Sequence, residues 1–144
     1  MLNRGISGDV TEGLLNRADE IISHHPKKVF ILMGINDILK NVRQEDTKQN
    51  YRLIVEKLIS ELPRTEILLQ SIFPTGLDTE MKVKSLNQYL RTLAEENEVT
   101  YIDLYPAFLN TDGSVSLDLY AADKLHLNGK GYTVWIEQIR EYVE

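Results

Sequence analysis

Three short apolar runs alternate with longer stretches of helical periodicity, and this alternation constrains the chain more than any other feature. Val29-Phe30-Ile31-Leu32-Met33 is a continuous apolar run closed by Gly34. Glu66-Ile67-Leu68-Leu69-Gln70-Ser71-Ile72 is a second, ended by Pro74, and Val99-Thr100-Tyr101-Ile102 is a third. Short runs without polar alternation read as strands buried on both faces. Around them, Leu14, Leu15, Ala18, Ile21 and Ile22 recur at helical spacing, as do Tyr51, Ile54, Val55, Leu58 and Leu62, and then Val83, Leu86, Leu90 and Leu93. A last stripe carries Tyr132, Trp135, Ile136, Ile139 and Val143, with Asn128 placed to cap it before Gly129. Strands alternating with helices predict βαβ units, right-handed crossovers and a parallel sheet covered on both faces. The expected fold class is α/β, as one domain over residues 1–144 without repeats or linkers.

Composition narrows the function. The net charge is −6 and no basic block is present, so there is no footprint for nucleic acid. Cysteine is absent, which removes disulfides, thiolate metal sites and a cysteine nucleophile. No apolar run approaches the roughly 18 residues of a membrane span, and Met1-Leu2-Asn3-Arg4 has no signal-peptide pattern. The expectation is a soluble, cytoplasmic chain.

In open parallel sheets, ligands bind at the carboxyl ends of the strands. The loops there are Gly34-Ile35-Asn36-Asp37, Phe73-Pro74-Thr75-Gly76 and Asp103. The segment Asn3-Arg4-Gly5-Ile6-Ser7-Gly8-Asp9 precedes the first helix, and its opening residues could be the tail of a strand. Asp123-Lys124-Leu125-His126-Leu127-Asn128 precedes the last helix. Each has a plain structural use: Gly8 in a left-handed turn, Asp9 as a helix cap, Asn36 as a turn residue, Asp123 and His126 as a surface pair. His24 and His25, at a helix end before Pro26, suit a solvated role. Together, the same loops suit acyl transfer. An imidazole can take up and return a proton near neutral pH, so His126 can act as general base, and Asp123 can accept its Nδ1–H and fix the tautomer. The Gly8 N–H and the Asn36 amide are then candidate donors to a tetrahedral oxyanion. Asp37, Asp103, Asp123 and His126 could instead hold Mg²⁺ in a phosphoesterase, although no closely spaced ligand pair favours this.

Ser7-Gly8-Asp9-Val10-Thr11, Gly34-Ile35-Asn36-Asp37 and Asp123-Lys124-Leu125-His126-Leu127-Asn128 resemble three of the four signature blocks of SGNH (GDSL-type) hydrolases. The likeness covers essentially the whole chain and is closest to platelet-activating-factor-acetylhydrolase-like esterases. It implies a three-layer, flavodoxin-like parallel sheet with strand order 2-1-3-4-5. It also implies Gly8 and Asn36 as the oxyanion hole, Asp123 and His126 as two members of a triad, a small short-chain acyl or acetyl ester as substrate, and no cofactor or metal.

The family's nucleophile block, Gly-Asp-Ser, does not occur in the sequence. In the family it precedes the Gly8 block by a helix and a strand. A βαβ unit needs roughly 30 residues, and only seven precede Gly8. The chain is thus expected to begin at the end of the family's second strand, with Leu2-Asn3-Arg4 as a remnant and the first strand and helix missing. Ser7 almost completes Gly-x-Ser-x-Gly but has Asp9 where glycine belongs, and Ser71 is better suited to packing or a backbone hydrogen bond. No nucleophile is identified. The leading expectation is a serine-esterase site without its serine. The alternative is an inactive fragment, a misplaced start codon or a degenerate interaction module. Loss of the central strand would leave strand 29–33 with an unpaired edge, predicting a homodimer through that edge or a displacement of residues 1–5.

Overall fold

The computed structural model describes residues 2–144. Helices α1 (Thr11–Asn16) and α2 (Ala18–Ser23) are followed by strand β1 (Lys28–Ile31), then α3 (Ile35–Leu39), α4 (Gln44–Glu61) and β2 (Glu66–Gln70). Helix α5 (Glu80–Glu96), strand β3 (Thr100–Ile102), two 3-10 turns (Tyr105–Phe108 and Leu117–Leu119) and α6 (Gly129–Val143) complete the chain. The sheet has the order β1-β2-β3 and is parallel throughout, with Val29 opposite Ile67 and Leu69 opposite Tyr101.

The period of two in each strand sorts its side chains between two helical layers. Val29 and Ile31, with Ile67 and Leu69, pack on Tyr51, Ile54, Val55 and Leu58 of α4 and on Leu90 and Leu93 of α5. Phe30, Leu68 and Ile102 face the other way, onto Trp135, Ile139 and Tyr142 of α6. This is the three-layer α/β arrangement that the alternation predicts.

Three details depart from the expectation. The helical stripe 14–22 is two helices broken at Arg17, whose guanidinium turns back to Asp9 (2.8 Å) and to the carbonyl of Arg4 (2.9 Å). Strand β1 is fully buried on one face only, because Lys28 and Phe30 remain partly exposed. Residues 2–7 form no strand: they are exposed, with Arg4 paired to Glu20 at 3.0 Å.

Two helical side chains act where the strands leave the sheet. The Tyr51 hydroxyl donates to the Met33 carbonyl (2.8 Å) and accepts from the Met33 N–H (3.0 Å). The Asn87 amide donates to the Ile72 carbonyl (3.0 Å) and accepts from the Ile72 N–H (2.7 Å). Each satisfies a backbone pair that a strand neighbour would otherwise have to satisfy.

Candidate active site

The carboxyl end of β1 is shaped by Gly34, whose φ is +116°. A Cβ there would lie 2.9 Å from both Ile72 Cδ1 and Leu86 Cδ2, so only glycine lets the chain turn into α3 at this distance from the core. The turn delivers Asn36 and Asp37. Asn36 is half-buried and its Nδ2 donates to the Asp9 carbonyl at 3.0 Å, which uses one of its two amide hydrogens. Gly8, one residue earlier in that loop, has φ +73° and its carbonyl accepts from Lys40 Nζ. Among the described residues no acceptor takes the Gly8 N–H.

Asp37 ties the two segments together. It is 1% exposed and accepts from the Thr11 N–H (3.0 Å), the Thr11 hydroxyl (2.6 Å) and the Thr47 hydroxyl (3.2 Å). The first turn of α1 is therefore capped by a side chain 26 residues away, and not by Asp9 as the sequence suggests. The Asp9 side chain accepts from its neighbour Val10 through Oδ1 and from Arg17 through Oδ2.

The second half of the site is the loop before α6. Asp123 Oδ1 accepts from the N–H groups of Leu125 and His126, both at 2.9 Å, and Oδ2 lies 2.6 Å from His126 Nδ1. The loop is closed by Ala121 N–H to the His126 carbonyl (2.8 Å) and by the Tyr120–Leu127 bridge. Asn128 caps α6 as expected, accepting from Lys130 and Gly131 N–H at 2.9 and 3.1 Å. Gly76 N–H to the Lys124 carbonyl (2.9 Å) and the Tyr120 hydroxyl to the Pro74 carbonyl fasten the loop to the turn after β2. Both halves thus stand at the carboxyl end of the sheet, on neighbouring strands. Among the described residues no hydrogen bond joins one to the other, and the His126 side chain is 71% exposed.

The His126 ring and the two N–H groups hold the Asp123 carboxyl down at about 2, with the side-chain bond the largest cause. Its value is below that of an unfolded carboxylate, so this contribution to the loop is complete above about pH 4 and is lost as pH falls toward 2. The Leu125 amide, which donates to the same carboxylate, should accordingly show a shift as pH falls from about 4 toward 2. A Leu125 amide that does not move in that window would contradict the carboxylate as the anchor.

The other candidates are placed elsewhere. Ser71 is fully buried and its hydroxyl accepts from Leu104 and Tyr105 N–H at 2.8 and 3.1 Å, the packing role expected for it. Ser7 is exposed, with no bond to His126 among the described residues. His24 is exposed at the end of α2 and bonds to the Glu20 carbonyl (2.7 Å) and Arg4 (2.8 Å); His25 beside it is also exposed. The phosphoesterase set does not converge. Asp37 is spent on Thr11 and Thr47, Asp103 pairs with Arg91 at 2.7 Å, and no group of three or more potential ligands forms among the described residues. Asp37 as a clamp, Tyr51, Asn87 and Lys40 were not legible as site residues. Only the polar Asp37 directly before an apolar Ile38 hinted at a buried charge.

Comparison with known proteins now bears on these residues. The profile of the GDSL-like Lipase/Acylhydrolase family matches residues 1–134. The chain belongs to this family. An isoamyl acetate-hydrolyzing esterase of Saccharomyces cerevisiae is 25% identical over 164 residues, spanning 100% of the chain and 68% of the yeast protein. An N-acylneuraminate cytidylyltransferase of Escherichia coli is 29% identical over 129 residues, and the chain covers 30% of that protein's length. Among solved structures, a platelet activating factor from Streptococcus pneumonia superposes with TM-score 0.87 at 28% identity, over 99% of the chain and 72% of its own. A GDSL-like lipase from Bacteroides thetaiotaomicron gives TM-score 0.85 at 25% identity, over 97% and 73%. The GDSL-like fold and membership of a lipase/acylhydrolase family follow. Among the described residues no helix is long and apolar enough to cross a membrane.

Proposed function

We propose that the chain carries the acid–base pair and the oxyanion hole of a serine esterase acting on small acetyl or short-chain acyl esters, with the nucleophilic serine supplied from outside residues 1–144. The observation that carries this reading is the 2.6 Å contact of Asp123 Oδ2 with His126 Nδ1, which leaves Nε2 without a partner among the described residues. An imidazole held by one nitrogen and open at the other is arranged for proton transfer. The hydrolysis of isoamyl acetate by the yeast relative favours a short acyl group.

In this reading the serine Oγ attacks the ester carbonyl carbon as its proton passes to His126 Nε2. The free Gly8 N–H and the second hydrogen of Asn36 Nδ2 donate to the oxyanion, each worth about 3 kcal/mol in the transition state. Collapse expels the alcohol, which takes the proton from His126. Water then attacks the acyl-enzyme, giving up a proton to His126 that returns to the serine as the acid leaves. Alone, the chain has no group to form that acyl-enzyme.

Two measurements test this. Titration with methylphosphonate, a tetrahedral anion, should shift the Gly8 amide, the Asn36 side-chain amide and the His126 ring in one saturable process. Movement of His126 alone would sink the shared site. The isolated chain should take no fluorophosphonate label and show no burst with p-nitrophenyl acetate, whereas labelling at Ser7 would overturn the claim of a missing nucleophile.

A further inference from the structure

Helix α3 and its cap present two side chains to the loop that precedes α1. Asn36 and Lys40 are four residues apart, and the Lys40 N–H bonds to the Asn36 carbonyl at 2.9 Å, so both stand on one face of the turn. From that face they reach consecutive carbonyls. Asn36 Nδ2 donates to the carbonyl of Asp9 at 3.0 Å, and Lys40 Nζ donates to the carbonyl of Gly8. Gly8 depends on this grip. It is exposed with φ +73°, and a Cβ added to it would meet only Lys40 Nζ, at 3.9 Å. No core side chain therefore packs on that side of the turn, which is closed within the loop by the Asp9 N–H to the Ile6 carbonyl at 3.2 Å.

The loop has a second cation, and the contrast between the two is informative. Arg17 pairs with Asp9 at 2.8 Å, so its charge is cancelled where it sits. Lys40 is exposed and forms no salt bridge among the described residues. Its ammonium has three N–H groups, of which Gly8 takes one. Contact with the Gly8 carbonyl puts this charge within about 6 Å of the Gly8 nitrogen, by standard backbone and hydrogen-bond dimensions. That is inside the Debye length of about 8 Å at physiological ionic strength, so an anion at the Gly8 N–H feels the charge. We propose that Lys40 is a positioning residue of the oxyanion hole. It holds the Gly8 turn in place beside Asn36 and supplies the net positive field that draws a tetrahedral anion to the two donors. It also covers a carbonyl oxygen whose partial negative charge would otherwise oppose an oxyanion nearby. The inference rests on the esterase reading for the identity of that anion, and the experiment separates the two.

Lys40→Met keeps an unbranched stem and removes the ammonium, whereas Lys40→Arg restores a charged donor. Both alter an exposed residue, so the circular dichroism of the chain should not change. Methylphosphonate, followed through the Gly8 and Asn36 amide resonances, should bind about 10-fold more weakly to Lys40→Met and within about 3-fold of the original to Lys40→Arg. The gap between the original chain and Lys40→Met should narrow as salt is raised. The Gly8 backbone order parameter should fall below about 0.6 in Lys40→Met and recover in Lys40→Arg. Equal affinity for the original chain and Lys40→Met overturns the proposal. So does a weakening that Lys40→Arg does not reverse, since any disturbance of α3 would then suffice. Joint movement of Gly8, Asn36 and His126 without a Lys40 effect sinks the proposal and leaves the esterase reading. Movement of Gly8 and Asn36 with the Lys40 effect but without His126 does the reverse.

Discussion

Replacing Asp37 with alanine is expected to destabilise the chain by about 4 kcal/mol, because three buried donors lose a charged acceptor together. The Thr11 N–H, the Thr11 hydroxyl and the Thr47 hydroxyl all end on this one carboxylate. The corresponding fall in melting temperature is roughly 12 °C, measurable by circular dichroism. Asp37→Asn should cost about half as much, since its oxygen still accepts while its NH₂ faces donors. The damage is also local. Asn36 Nδ2 reaches the Asp9 carbonyl only while the start of α1 is fastened to the loop after β1. Methylphosphonate should therefore bind more weakly to Asp37→Asn even at temperatures where the variant is fully folded. Equal affinity would show that the two blocks are held together by something else.

Gly131→Ala is the second large effect. A Cβ at this position would sit 2.2 Å from the Leu119 carbonyl oxygen and 3.0 Å from Leu127 Cβ. The nearer atom is backbone, so the clash can be relieved only by moving α6 or the segment 119–127. Forced overpacking of this kind costs about 3 kcal/mol. The segment that must move is the one that presents Asp123 and His126, so the variant should also change the His126 Nδ1–H resonance that reports the 2.6 Å contact. Gly129→Ala is the control. Nothing lies within 4 Å of a Cβ there, and the same substitution two residues earlier should be neutral or mildly stabilising. A Gly131→Ala chain as stable as that control would mean that α6 is not seated against Leu119.

The contrast between these positions shows what can be read from sequence. The strands and the long helices were legible because burial imposes a period on many residues at once. Val29 and Ile31 or Leu86, Leu90 and Leu93 announce their faces without any partner being known. Asn128 as the cap of α6 was equally legible, since a cap is a local device. So was the Asp123–His126 contact, because both residues sit in one short turn. What was hidden depends on partners distant in sequence. Asp37 caps a helix 26 residues upstream, and Asp9, adjacent to that helix, has the better claim by sequence alone. The break at Arg17 follows from its contacts with Asp9 and Arg4, which no apolar stripe records. Phe30 looked like a member of a doubly buried strand because hydrophobicity reports the residue and not the neighbour it has.

Tyr51 and Asn87 have a consequence for the rim of the site. Where Met33 and Ile72 leave the sheet, their N–H and carbonyl groups are already satisfied by helical side chains. The turns that carry Asn36 and Pro74 therefore take their shape from α4 and α5, not from whatever strand lies along β1. A chain built in this way shapes the rim of its site through helix packing, independently of the outer edge of β1.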